Sequence, residues 1–288
     1  ACGGSGCSGI DTSATANTGS GGGSNGNLGQ GGSSGAGATG IVVVNYSYSS
    51  SSYAEHNLTI SSGAGTVDLN GDVANIGTLS VTTTSSDSDI SGVISTDTIV
   101  TKAGTGTLTL SNTNTYTGQT NINAGTLAVT VNDALGTNAA GTVIASGATL
   151  DLQNVTYSTT EAITNNGGTL STSTGTSAYA GTMTLGADAT IDVDGTQLTI
   201  STAIGDGGNG YAITKDGNGT LVLSATSTYT GDTTISAGTI KLTGNLNSAT
   251  DLVIASGATL DLQAALTAAT LDLDGTISNT AGTSSLVI

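Results

Sequence analysis

The stretch TKAGTGTLTLSNTNTYTGQTNINAGTLAVT (residues 101–130) returns as TKDGNGTLVLSATSTYTGDTTISAGTIKLT (residues 214–243), 113 positions further along the chain. The two copies agree at 19 of 30 positions, whereas composition alone would give roughly three matches. A repeat of this length is typical of proteins built by stacking similar structural units.

A shorter unit recurs inside and outside these copies: a small residue, then Thr, then aliphatic residues that alternate with polar ones. It occurs at GTVDL (65–69), GTLSV (77–81), GTLTL (106–110), GTLAV (125–129), ATLDL (148–152), GTMTL (181–185), ATIDV (189–193), GTLVL (219–223), GTIKL (238–242), ATLDL (258–262) and ATLDL (269–273). A period of two places the aliphatic side chains on one face of a strand and the polar ones on the other. The sequence therefore predicts an all-β protein, with turns where Asn, Asp and Gly cluster.

The repetition favours a β-solenoid over a sandwich, because stacked rungs need like residues above one another and sandwich strands do not. The segment VIASGATLDLQ is identical at residues 143–153 and 253–263, an offset of 110 rather than 113. Three residues are thus lost at one turn without any change in the next strand, which solenoids tolerate because their turns are peripheral. The repeated stretch is predicted to be a pair of stacked rungs, copied within a module of about 110 residues.

The predicted domain organisation is a Gly/Ser-rich N-terminal arm (residues 1–40) followed by one continuous parallel β-helix (residues 41–288). The duplicated module spans about residues 99–200 and 212–288, and the helix should have about 10–12 rungs of roughly 20–24 residues, with ~4.8 Å between rungs. Twelve aliphatic residues are expected to point into one core: Leu108, Leu110, Leu127, Val129, Leu150, Leu152, Leu221, Leu223, Ile240, Leu242, Leu260 and Leu262.

The charge balance excludes several classes of partner. Three Lys and no Arg stand against 20 acidic residues, for a formal charge of −17. Binding nucleic acid requires clustered basic residues to neutralise phosphates, and binding an anionic membrane surface requires the same. No run of 18 apolar residues is present, so we expect no membrane insertion by this chain.

Two cysteines, Cys2 and Cys7, lie in the arm in the sequence ACGGSGCSG. Four small residues separate them, which permits a short-loop disulfide within the chain. Bonds to a neighbouring chain are the other interpretation that the residues leave open. Both suit an oxidising exterior.

Candidate catalytic or metal-binding residues are few. Asp192 and Asp194, and likewise Asp272 and Asp274, share a strand face and could serve as a carboxylate pair or as calcium ligands. GDGGNGYAI (205–213) faintly resembles a calcium-binding nonapeptide but occurs once, so an Asp/Gly turn is the preferred interpretation. His56 has no Ser or Cys partner arrangement around it. We expect no enzyme and no cofactor, with calcium as the only candidate ion.

The repeated stretch resembles the passenger-associated strand repeat of bacterial autotransporters. The pattern Lys-x-Gly-x-Gly-Thr-Leu-x-Leu, then Tyr-Thr-Gly-x-Thr-x-Ile, then Ala-Gly-Thr-Leu falls on residues 102–127 and, with Ile for the last Leu, on residues 215–240. Tyr116 and Tyr229 stand at the expected turn. The resemblance implies a right-handed parallel β-helix that is displayed outside a bacterial cell. It does not specify an activity.

The function predicted from the sequence is a secreted structural protein that assembles end to end into a fibre, sheath or matrix, with other copies of itself as partners. An apolar strand lies near each end of the predicted helix, and exposed strand edges pair with other chains. The predicted assembly interface comprises Ile41, Val42, Val43, Val44, Leu286, Val287 and Ile288. The alternative is a cell-surface adhesin passenger, and a polysaccharide-acting enzyme is a distant third.

Overall fold

A computed structural model describes residues 57–282 and 284–288 of the 288-residue chain. In this part the chain is all-β and winds as a parallel β-solenoid of about eleven rungs, with no residue in a helix. The predicted fold class is confirmed. The N-terminal arm, Cys2, Cys7 and residues 41–44 lie outside the described residues.

Twenty-eight strands make up the described part of the solenoid. The first eleven are β1 (Asn57–Gly63), β2 (Asp68–Leu69), β3 (Thr78–Thr83), β4 (Ser88–Ile90), β5 (Ile99–Ala103), β6 (Thr107–Leu110), β7 (Thr120–Ile122), β8 (Thr126–Val129), β9 (Thr142–Ile144), β10 (Thr149–Leu152) and β11 (Thr156–Tyr157). The next nine are β12 (Ile163–Asn166), β13 (Thr169–Thr172), β14 (Thr176–Tyr179), β15 (Met183–Ala187), β16 (Ala189–Val193), β17 (Gln197–Ile200), β18 (Ile204–Gly205), β19 (Ile213–Asp216) and β20 (Thr220–Leu223). The last eight are β21 (Thr233–Ile235), β22 (Thr239–Leu242), β23 (Asp251–Ile254), β24 (Thr259–Leu262), β25 (Leu266–Thr267), β26 (Thr270–Leu273), β27 (Thr276–Ser278) and β28 (Leu286–Val287).

Three parallel sheets form the three sides of the solenoid. Side 1 has the order β1-β3-β5-β7-β9-β12-β15-β18, side 2 the order β2-β4-β6-β8-β10-β13-β16-β19-β21-β23-β26, and side 3 the order β11-β14-β17-β20-β22-β24-β27. A two-stranded sheet, β25-β28, completes the set. Eleven strands stacked on side 2 at ~4.8 Å give a rod about 50 Å long.

Aliphatic side chains fill the space between the three sides. On side 2, Leu108, Leu127 and Leu150 stack in register from one rung to the next, and each is fully buried. All twelve residues predicted to share the core are buried there. The alternation of Thr with aliphatic residues therefore produces the geometry that it predicts, with Thr outward and the aliphatic side chains inward.

Rung length varies because the turns at the corners differ, while the strands keep their register. The pairing of Leu260 with Ile277 closes a short rung, whereas the pairing of Ile191 with Lys215 closes a long one. The rung closed by Leu58 and Leu79 is intermediate in length. The corners therefore absorb the differences, and the strands stay aligned.

The two copies of the repeat lie on different sides of the solenoid. Residues 101–130 supply β5 and β7 to side 1 and β6 and β8 to side 2, whereas residues 214–243 supply β19 and β21 to side 2 and β20 and β22 to side 3. Each copy is a pair of stacked rungs, as the sequence predicts: Lys102 pairs with Ile122 in the first copy and Lys215 with Ile235 in the second. On side 1, β18 is the fifth strand after β5, and β19 follows it on side 2. The second copy therefore lies five rungs and one side beyond the first.

A buried lysine closes one corner in each copy. The Nζ of Lys102 donates to the carbonyl oxygens of Ala103 (3.0 Å), Gly104 (2.8 Å) and Ala124 (3.0 Å), and Ala124 belongs to the next rung. Burial lowers the pKa of Lys102 to about 8, so the ammonium is still protonated at neutral pH. One side chain thus caps a tight turn and ties two rungs together.

Lys215 makes the same contacts, to Asp216 (2.7 Å), Gly217 (2.7 Å) and Ala237 (3.3 Å). Burial likewise lowers its pKa to about 8. Both lysines are fully buried, so neither ammonium is available to a ligand at the surface.

A buried tyrosine lies beneath the one stretch of each repeat that has no strand. Residues 111–119 connect β6 to β7, and the ring of Tyr116 fills the interior there. Its hydroxyl hydrogen-bonds the Thr120 hydroxyl at 2.6 Å. Tyr229 and Thr233 repeat the pair at 2.6 Å. Burial raises the pKa of both tyrosines above its usual range, so the phenols act as neutral hydrogen-bonding groups.

A buried carboxyl group, Glu161, lies in the same interior just before β12. One oxygen, Oε1, accepts a hydrogen bond from the Thr142 hydroxyl at 2.9 Å, and Oε2 has no partner. The side chain is 1% exposed. Burial raises the pKa of Glu161 to about 7, although the bond from Thr142 opposes the shift.

The lysine corners predict a specific loss of stability. Lys102→Met and Lys215→Met should each lower the free energy of unfolding by about 1–3 kcal/mol, because three carbonyl oxygens lose their donor. Lys241→Met, on a half-exposed side chain of β22, is the control and should change stability by less than about 0.5 kcal/mol. Denaturant unfolding measures all three, and equal losses would contradict the capping role.

Glu161 predicts an unusual pH dependence. Its pKa in the folded chain is about 7, above the ordinary 4.5, so stability should fall as pH rises from about 4.5 to 7. Glu161→Gln should be more stable than the parent by on the order of 2–3 kcal/mol at pH 8 and nearly equal at pH 4. The exposed change Asp274→Asn alters the net charge equally and serves as the control. If Glu161→Gln raised the free energy of unfolding by the same amount at both pH values, ionisation of Glu161 would not be the cause of the pH dependence.

Candidate binding surface

The predicted assembly residues at the C-terminal end form the edge of the last described rung. Leu286 and Val287 form β28, which pairs with Leu266 and Thr267 of β25. Val287 is 55% and Ile288 62% exposed. Since residues 41–44 lie outside the described part, the structure does not bring the two halves of the predicted interface together, and that interface stays a prediction.

The predicted carboxylate pairs do not gather further ligands. Asp192 is half-buried on β16 and Asp194 follows it; burial raises the pKa of Asp192, and the charges of Asp194 and Asp216 add to the shift. Asp272 and Asp274 are exposed. Within residues 57–282 and 284–288, no three His, Cys, Asp or Glu side chains are arranged to hold a metal ion. Calcium binding stays a prediction.

The single nonapeptide-like segment folds as a tight turn around its own carboxylate. Asp206 accepts hydrogen bonds from the backbone N–H groups of Gly208 (2.8 Å), Gly210 (2.8 Å), Tyr211 (3.2 Å) and Thr230 (3.1 Å), and from the Thr230 hydroxyl (2.9 Å). Burial would raise the pKa of Asp206, but the bonds from Gly208 and Thr230 outweigh it and lower the pKa to about 2. Five donors occupy the lone pairs of this carboxylate, so its role is to hold the turn.

Two surface grooves lie over the strand-free stretches of the two repeats. The first groove has a volume of about 540 Å³. It is lined by Thr113, Asn114, Thr115, Asp133, Gly136, Thr137, Asn138, Ser158, Thr159 and Thr160. Three successive rungs contribute to it, because residues 113–115, 133–138 and 158–160 follow one another by about a rung each.

The second groove has a volume of about 530 Å³. It is lined by Thr226, Ser227, Thr228, Asn245, Leu246, Asn247, Ser248, Ala265, Leu266, Thr267, Ser285 and Val287. Its residues come from four successive rungs. Thr226, Ser227 and Thr228 occupy the places that Thr113, Asn114 and Thr115 occupy in the first copy.

The same backbone contact builds both grooves. The N–H of Asn114 donates to the carbonyl of Asp133 at 2.9 Å, and the N–H of Ser227 donates to the carbonyl of Asn245 at 2.8 Å. Each contact joins the strand-free stretch of one rung to the stretch above it. The repeat therefore makes a depression at the corresponding place in each copy. The first lies on side 3 next to β11, and the second lies between β18 of side 1 and β25 of the two-stranded sheet.

The solenoid surface is electronegative and the grooves are nearly uncharged. Lys102 and Lys215 are buried, which leaves Lys241 as the one surface lysine in the described part. Among the groove residues only Asp133 is ionisable, and the second groove has no charged lining residue. The lining is dominated by hydroxyl and amide side chains.

The grooves are the feature that sequence reasoning missed. The signal for them is the segment Thr-x-Thr-Tyr-Thr-Gly, at residues 113–118 and 226–231. It interrupts the strand pattern and exposes Thr on both sides of a buried residue.

In the part of the chain that the structure describes, no helix has the length and apolar character to cross a membrane.

Comparison with known proteins identifies the family of the repeat. Residues 100–129 and 213–242 match the passenger-associated-transport-repeat family. The chain is 32% identical over 214 residues to the adhesin BmaC autotransporter of Brucella suis biovar 1 (strain 1330), an alignment that covers 68% of this chain and 6% of that protein. No solved structure matches the chain.

The chain thus spans a small fraction of the length of the curated relative that it matches. Its two repeats and its parallel solenoid agree with the resemblance drawn from residues 102–127 and 215–240. The same two matches indicate that the chain is localised to the bacterial cell surface or the extracellular space. The chain belongs to the passenger repeat family of bacterial autotransporters.

Proposed function

We propose that this chain is part of a cell-surface adhesin passenger and that it acts by binding rather than by catalysis. The observation that carries the proposal is the 32% identity over 214 residues to an autotransporter adhesin. The fold supports it, because a rod about 50 Å long presents its sides, corners and grooves to the surroundings at a distance from the cell.

The enzyme hypothesis finds little support in the geometry of the grooves. Glycoside hydrolysis in most families needs two carboxyl groups that flank the scissile bond. The first groove has one carboxylate in its lining, Asp133, and the second has none. Glu161 has a raised pKa, but it is sealed in the core and does not line either groove.

The fibre predicted from the sequence is a weaker proposal than the adhesin. Its structural support would be the exposed apolar edge at β28, with Val287 and Ile288 accessible. Further rungs of the same protein would cover that edge just as well as a second copy would, so the edge does not discriminate. Electron microscopy of the purified chain separates the two: single rods fit the adhesin, and filaments would favour the structural protein.

The adhesin proposal predicts direct attachment. Beads coated with the purified chain should bind cultured host cells or matrix, and the soluble chain should compete for that binding in a saturable way. Beads coated with the heat-unfolded chain keep the same composition and charge and are the control. Equal attachment of both kinds of bead, or no competition by soluble chain, would overturn the proposal.

A further inference from the structure

We propose that the two grooves are both binding sites for neutral saccharides, one in each copy of the repeat. The inference rests on the proposed adhesin function and deepens it, because it names the ligand class and the place where the ligand binds. The inference applies to both grooves, because the segment Thr-x-Thr-Tyr-Thr-Gly contributes to each of them.

Duplication is the first argument for a site. Thr113 and Thr115 in the first groove correspond to Thr226 and Thr228 in the second, and all four are exposed. The two grooves also have nearly equal volumes, about 540 and 530 Å³. Such volumes lie within the range of about 300–1,000 Å³ that is usual for small-molecule sites.

An unsatisfied polar atom in each groove is the second argument. The hydroxyl of Thr137 in the first groove and the amide oxygen Oδ1 of Asn245 in the second are buried and have no hydrogen-bond partner. A buried polar atom without a partner costs about 1–3 kcal/mol. Both residues line their groove and are partly exposed as a whole, so each places a polar group that lacks a partner beside the space that a ligand hydroxyl would occupy.

The chemistry of the lining selects the ligand class. Thr, Ser and Asn side chains both donate and accept hydrogen bonds, which matches the hydroxyl groups of a sugar. Ala265 and Val287 provide exposed apolar surface for the C–H face of a ring in the second groove. No lining residue is cationic, and the chain carries a formal charge of −17. Sialylated, sulfated and phosphorylated ligands are therefore disfavoured.

The two sites cannot be bridged by one short saccharide. They are separated by about five and one-third rungs, or roughly 26 Å along the axis at ~4.8 Å per rung, and they lie on different sides of the rod. Binding of a small ligand should be weak and independent at the two sites, and attachment to a glycan-coated surface should gain from avidity.

Substitutions that block each groove test the proposal, with matched controls from the same repeats. Thr115→Arg and Thr228→Arg place a long side chain in the first and second groove. Thr105→Arg and Asn218→Arg add the same charge at equivalent exposed positions on another corner. Unchanged thermal unfolding verifies that each variant folds. The probes are immobilised neutral oligosaccharides based on glucose, galactose, mannose and N-acetylglucosamine, beside sialylated and sulfated counterparts and an extended peptide.

The parent chain should bind at least one neutral oligosaccharide at two equivalents per chain, each single groove variant at one equivalent, and the double variant at least about tenfold more weakly. Both control variants should match the parent. Binding of only the acidic glycans or the peptide, no binding of any neutral probe, or undiminished binding by the double variant would overturn the inference. The cell-attachment assay distinguishes failure of this inference from failure of the adhesin proposal. If the double variant still attaches to cells, the adhesin proposal holds but the grooves are not its binding sites.

Discussion

At several corners, those of the two repeats among them, successive rungs are packed so closely that backbone touches backbone, and the stacking of the solenoid depends on this contact. At Gly106 a Cβ atom would lie 2.1 Å from the carbonyl oxygen of Ser85, and at Gly219 one would lie 2.1 Å from that of Gly195. Neither glycine has a positive φ. Glycine is therefore required at these two positions because there is no room for a side chain, and not because of the backbone conformation. Strands can form an unbroken ladder at ~4.8 Å only if the turns between them approach equally closely. The buried lysines then lock the corners from inside.

The three sides of the solenoid are chemically alike, and this explains where the second copy of the repeat lies. A segment that alternates Thr with aliphatic residues fits any side, because each side needs the same inward and outward faces. A duplication that is displaced by one side therefore keeps its internal register, as the pairs Lys102 with Ile122 and Lys215 with Ile235 demonstrate. The groove over each copy therefore faces a different direction.

The sequence was sufficient for the strands, the solenoid and the core, because the two-residue period directly encodes inside and outside; Leu108 and Leu150 are where it puts them. The sequence did not predict that the second copy lies one side further round the solenoid than the first. That displacement depends on rung lengths, which differ from one turn to the next. The sequence also does not indicate which polar side chains are buried. Lys102 lies in the interior because three carbonyl oxygens accept hydrogen bonds from its ammonium group, and no sequence pattern specifies those contacts. The grooves were missed because an interrupted strand pattern predicts a turn but not the shape that three stacked turns enclose.

The most direct test of the corner contact compares two glycines. At one there is no room for a Cβ atom, and at the other there is room but the backbone conformation disfavours a side chain. Gly106 has a carbonyl oxygen 2.1 Å from the position of a Cβ and no positive φ, whereas Gly147 has φ +74° and nothing within 4 Å of that position. The free energy of unfolding should fall by about 3 kcal/mol or more in Gly106→Ala, since backbone cannot move aside, and by only about 1–2 kcal/mol in Gly147→Ala, from backbone strain alone. Equal losses, or a larger loss at Gly147, would contradict the account.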